Sequence, residues 1–236
     1  MISVFEVYQS ASDKINPSEN GDFSFSRFNR LSWLAQLRLI DWLSGDVSGI
    51  QPPQPYLTQK NKDWLSFLIV PYTVQIVEGF MDKPKDYYQW DNAYLLGDFN
   101  NSDCEDEVEK IGKNTPIQLL NGDQFYQRMD TDVDGLAPSF KAPIAKMVGS
   151  RIELRPLDLG SMTLEYIRYP VKSFLATKVD EVFNDEVYDR EKSEDFEWPE
   201  FAHEILAWFI AEAFSEFTRE QALYQHNSAI GKTVRK

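Results

Sequence analysis

The spacing of apolar residues divides the chain into a helical part, a part with strand periodicity and a second helical part. Residues 2–15 read as a short amphipathic helix, followed by a break at Gly21-Asp22. Ser24 is placed to cap a longer helix running to about Leu43, in which Phe28, Leu31, Ala35, Leu39 and Trp42 recur at helical spacing. Leu34, Leu37, Ile40 and Leu43 widen that stripe beyond one face. A helix apolar on most sides is covered on most sides, and a neighbouring subunit is one source of the second cover. Gly45 to Pro55 reads as a loop stiffened by Pro52-Pro53-Gln54-Pro55, and Thr58 as the cap of a short helix through Trp64.

From Leu68 the period changes. Val70, Tyr72, Val74 and Ile76 alternate with other residues as in a strand, and Tyr87 to Leu96 is aromatic and strand-like. Asp98 to Glu109 reads as an acidic loop, and Asp123 to Met129 as a single helix. Arg151-Ile152-Glu153-Leu154-Arg155 alternates as a half-buried strand does; Gly160-Ser161 then turns into a strand over Met162 to Tyr169, closed by Pro170. After an acidic stretch, Pro199 suits the first position of a long helix from about Glu200 to Tyr224. Phe201, Ile205, Trp208 and Phe209 supply its apolar face, extended by Leu206, Ile210, Ala213 and Phe217, with Glu204, Glu212, Glu216 and Glu220 elsewhere.

These elements predict an α+β fold. Residues 1–67 supply N-terminal helices. Residues 68–190 form an inserted, mostly antiparallel β-rich lobe. Residues 191–236 supply a long helix that packs back on the N-terminal helices as a bundle, plus a basic tail with Lys232, Arg235 and Lys236.

Charge narrows the function. The formal net charge is −14, which offers no basic footprint for gripping nucleic acid. An acidic surface repels DNA and anionic membranes. No apolar run approaches a membrane span, and the start of the chain lacks the basic and apolar regions of a signal peptide. With 14% aromatic residues, a large core or a large interface is expected. Phe28, Leu34, Trp42, Trp208 and Phe209, on the two long helices, are the candidate interface residues.

Candidate chemistry is sparse. His203 lies on the closing helix among bulky residues, and no second His stands four residues away to make a helical zinc pair. Cys104, the single cysteine, sits in an acidic loop that disfavours its thiolate. Gly231-Lys232-Thr233 ends like a phosphate-binding loop, but His226 occupies the position of the first glycine. Asp130-Thr131-Asp132-Val133-Asp134-Gly135 matches the first half of a calcium loop, so Asp130, Asp132 and Asp134 are candidate metal ligands. The second half departs from that pattern: Lys141 stands where the bidentate Glu belongs and Pro138 at the ninth position, which favours a plain acidic turn. No cofactor and no catalytic residues are expected.

Several strings carry a resemblance. Phe28-Asn29-Arg30-Leu31, Leu34-Ala35-Gln36-Leu37-Arg38, Pro53-Gln54-Pro55-Tyr56-Leu57-Thr58-Gln59-Lys60-Asn61, Pro84-Lys85-Asp86-Tyr87-Tyr88, Asn114-Thr115-Pro116-Ile117 and Leu164-Glu165-Tyr166-Ile167-Arg168-Tyr169-Pro170 resemble a structural ring protein of crAss-like phages, a component of the head-to-tail connector or tail barrel. In organisation the chain is also similar to podophage adaptor proteins, which place a helical bundle on the portal and carry a β-rich lobe. The resemblance implies a closed ring of identical subunits, dodecameric to match a portal, in contact with portal and neighbouring neck or tail ring proteins. It implies a virion protein made in the bacterial cytoplasm, with DNA passing through the lumen without sequence-specific binding. It transfers no catalytic residue. The alternative class is an unpackaged adaptor or regulatory protein of the infected cell. A tail-associated hydrolase is the weakest class, because no constellation supports it.

Overall fold

The computed structural model of the chain describes residues 2–15, 23–44, 61–96, 115–131, 137–180 and 185–217. The chain divides into two compact units, one formed by Met1–Trp64 with Pro170–Lys236 and the other by Leu65–Tyr169. Helices and mostly antiparallel sheets make it an α+β protein, as expected. One expected boundary moves. The β-rich unit ends at Tyr169, and residues 170–190 belong with the helices. The reason is a set of side-chain hydrogen bonds from the second helix to this segment, which hydrophobic periodicity does not register.

In the helix-rich unit, α1 spans Val4–Lys14, and the Ser3 hydroxyl caps it by accepting from the Glu6 N–H. α2 spans Phe25–Ser44, with the Ser24 hydroxyl accepting from the Arg27 N–H at 3.4 Å. α2 buries Phe28, Leu31, Ala35 and Leu39 as the stripe predicts, and also Ile40, Leu43, Ser32 and Gln36, but it leaves Trp42, the last member of the expected stripe, 44% exposed. The second cover expected from a neighbour therefore comes in part from the chain itself. Asn29 donates to the Leu175 carbonyl at 2.9 Å and accepts from the Leu175 N–H at 2.8 Å. Gln36 Oε1 accepts from Trp198 Nε1 at 3.1 Å, and Trp198 is fully buried. A short helix α3 covers residues 61–65. Trp64 stacks on Phe201 with ring centroids 4.4 Å apart.

The β-rich unit holds two four-stranded sheets. Ile69–Gln75 (β1), Ser161–Arg168 (β8), Tyr87–Leu96 (β3) and Thr115–Pro116 (β4) form one, in the order β1-β8-β3-β4. Phe80–Asp82 (β2), Arg151–Arg155 (β7), Ile144–Val148 (β6) and Gln118–Leu119 (β5) form the other, in the order β2-β7-β6-β5, with β5 and β6 the one parallel pair among the described strands. A tight turn joins β1 to β2, and Ile117 alone separates β4 from β5, so the chain passes directly from sheet to sheet at both edges. Leu95, Ile152, Leu154, Met162 and Leu164 lie in the shared core. The β1–β2 turn is a two-residue turn closed by mutual hydrogen bonds between Val77 and Phe80, at 3.0 and 2.9 Å. Glu78 and Gly79 have φ of 52° and 77°, the left-handed conformation that matches strand twist in such turns.

α4, Gly122–Met129, is capped by the Asn121 side chain and packs on β6. Phe125, Leu120 and Ile144 form a small separate core beneath it. In the other unit, Thr177–Val179 (β9) and Glu186–Tyr188 (β10) form a two-stranded ribbon, and the Tyr188 ring stacks on Phe5 with centroids 4.5 Å apart.

Candidate functional site

The last described helix, α5, covers residues 202–217. Ala202, Leu206, Ala207, Ile210, Ala211, Ala213 and Phe214 are buried, which leaves Glu204, Trp208, Glu212 and Glu216 facing outward. Steps of four residues advance only about 40° around a helix, so these four side chains form one stripe. The expectation that Trp208 belongs to an apolar face apart from the glutamates is corrected. Trp208 is 61% exposed and stands between Glu204 and Glu212. Lys14, in the last turn of α1, lies 2.7 Å from Glu204 Oε2 and 5.5 Å from the Trp208 ring centroid. The hydrogen bond from Lys14 holds the Glu204 pKa below its ordinary value. Arg38 of α2 pairs with Glu216 at 2.7 Å. Glu212 has neither a hydrogen bond nor an ion pair among the described residues.

Of the other interface candidates, Leu34 and Trp42 are 39% and 44% exposed on α2, and Phe209 is half-buried beside Trp208. Phe28 is withdrawn from any surface. It is fully buried, with the Tyr8 ring edge-on at 5.4 Å, because it lies on the same side of α2 as Leu31, Ala35 and Leu39. Exposed tryptophans are the side chains that contribute most to binding when a partner desolvates them. Trp208 and Trp42 are the two exposed tryptophans among the described residues of this unit.

Asp130 is the C-cap of α4, while Asp132 and Asp134 lie outside the described residues. Among the described residues no group of three His, Cys, Asp or Glu side chains is arranged to hold a metal ion. His203 has Nδ1 3.6 Å from Glu204 Oε1 and a buried Nε2 without a hydrogen-bond partner among the described residues. Among the described residues no helix is long and apolar enough to cross a membrane.

One charged cluster has no signature in the sequence pattern. Lys146, on β6, is almost completely buried. Its ammonium donates to the Tyr126 hydroxyl at 2.7 Å, pairs with Glu153 at 2.9 Å, and lies over the rings of Tyr126 and Phe125 at 4.0 and 4.6 Å. Burial works against the charge, but the hydrogen bonds to Tyr126 and Glu153 outweigh it, and the Lys146 pKa lies above its ordinary value. The cross-strand register Lys146↔Glu153 creates the pair, and only knowledge of the strand pairing reveals it.

No family model matches the chain, and no curated protein matches it.

Proposed function

We propose that the chain is a non-enzymatic virion protein, a ring subunit of the head-to-tail connector or tail of a phage. The observation that carries this reading is the insertion. A β-rich unit, Leu65–Tyr169, interrupts a helix-rich unit built from both ends of the sequence. That order is the one implied by the resemblance to connector and adaptor proteins. Exposed Trp42, Leu34 and Trp208 on the helices support it further, since a ring subunit presents two different surfaces to its two neighbours. The net charge of −14 suits a channel wall, where like charge keeps passing DNA from adhering.

Quantitative mass spectrometry of gradient-purified particles tests the reading, with this chain scored against the portal subunit. A copy number close to that of the portal is the expected result. Absence from mature particles overturns the ring reading in favour of an unpackaged adaptor.

A further inference from the structure

The outward stripe of α5 has a complement within the same sequence. Residues 227–236, Asn-Ser-Ala-Ile-Gly-Lys-Thr-Val-Arg-Lys, carry Lys232, Arg235 and Lys236 and no Asp or Glu, in a chain whose net charge is −14. We propose that this basic segment of one copy docks on the α5 stripe of a second copy, with Trp208 and Glu212 as its principal contacts. The inference rests on the ring reading, because a head-to-tail contact joins two different surfaces of one chain.

The stripe suits a cationic segment for three reasons. Trp208 is 61% exposed, and the ammonium of Lys14 lies 5.5 Å from its centroid, so the indole already acts as a cation receptor. A guanidinium such as that of Arg235 stacks on an indole face, which favours arginine over lysine at this contact. Glu212 has no partner among the described residues, whereas Glu204 and Glu216 are matched by Lys14 and Arg38. Among the described residues, the stripe therefore carries one carboxylate without a partner next to an exposed indole, with two screened carboxylates as its rim. Burying Trp208 supplies the apolar contribution, and the charges supply orientation and a salt-sensitive on-rate.

The test uses a fluorescent peptide of residues 227–236 and the full-length chain carrying Lys232→Glu, Arg235→Glu and Lys236→Glu, whose own segment no longer competes. The peptide is expected to bind this receptor at low salt and to weaken as salt rises. Adding Trp208→Ala or Glu212→Lys to the receptor is expected to weaken binding by about tenfold or more. Both positions are solvent-facing, so the fold is preserved, and circular dichroism checks this. Unlabelled wild-type chain is expected to displace the peptide in trans. No binding, or binding indifferent to both substitutions, overturns the proposal. Binding that wild-type chain does not displace also overturns it, since the segment is then held by its own chain. Loss of this docking in a chain present at portal-like copy number refutes the docking alone. Docking by a chain absent from particles refutes the ring reading instead.

Discussion

At the residue scale, the tight β1–β2 turn shows how little freedom one position has. Gly79 adopts φ +77°, and a Cβ there would meet Leu157 Cδ2 at 2.6 Å and the Leu154 carbonyl oxygen at 3.0 Å. Gly79→Ala is therefore expected to cost about 1–3 kcal/mol, read as a lowered denaturation midpoint with unchanged slope. Glu78, at φ 52° without a glycine's freedom, is the opposite case: Glu78→Gly is expected to leave stability unchanged or raise it by up to about 1 kcal/mol. Glu153 holds two cations, Lys146 at 2.9 Å and Arg155 at 2.6 Å, so Glu153→Leu strands a buried ammonium. A loss of about 3–5 kcal/mol is expected in chemical denaturation. The double variant Lys146→Met/Glu153→Leu is expected to recover part of it, since no buried ammonium remains. A double variant no more stable than Glu153→Leu alone would show that the rings and Tyr126, not the carboxylate, carry Lys146.

At the scale of elements, α2 was legible in the sequence while its surroundings were not. Its span is expected to end near Leu43 and does so at Ser44; Phe28, Leu31, Ala35 and Leu39 face inward as their spacing requires, while Trp42, on the same expected stripe, faces out. The polar side of the helix is also covered, because Asn29, Ser32 and Gln36 bind the segment around residues 173–198. Asn29 imitates a strand neighbour, offering one donor and one acceptor to Leu175, whose own side chain is buried. Asn29→Ala is expected to cost about 1–3 kcal/mol by leaving that peptide group unsatisfied, and hydrogen exchange at the Leu175 amide is expected to accelerate. An Asn29→Ala chain with unchanged protection at Leu175 would mean that water replaces the side chain. Among the strands, β3 coincides with its expected range Tyr87–Leu96, and β7 with Arg151–Arg155. β6 shows no alternation because it is covered on both sides, Ala145 facing the main core and Ile144 facing α4.

At the scale of the whole molecule, tyrosine ionisation sets an alkaline limit. Burial, then the hydrogen bond to Asp86, raises the Tyr166 pKa from 10.0 to about 12, and burial raises Tyr87 to about 12 against a lowering contribution from a backbone hydrogen bond. Both folded-state values exceed the unfolded one, so the unfolded chain loses these protons first. The folded state keeps its full advantage below pH 10 and loses it as pH rises from 10 towards 12. Thermal unfolding is expected at clearly lower temperature at pH 11.5 than at pH 9.5, with Tyr166→Phe reducing the difference. Equal midpoints for parent and variant across that range would remove Tyr166 as the cause.

The order of residues along the chain set the α+β class, the succession of helical, β-rich and helical parts, and the main helices and strands, because each of these follows from local periodicity. The residues themselves also set the net charge of −14 and the basic end. Tertiary structure alone decided that residues 170–190 join the helices, that Phe28 lies inside while Trp208 faces out, and that Lys146 meets Glu153. Those outcomes depend on hydrogen bonds and strand registers between residues far apart in the chain, and a pattern read along one segment contains no term for them.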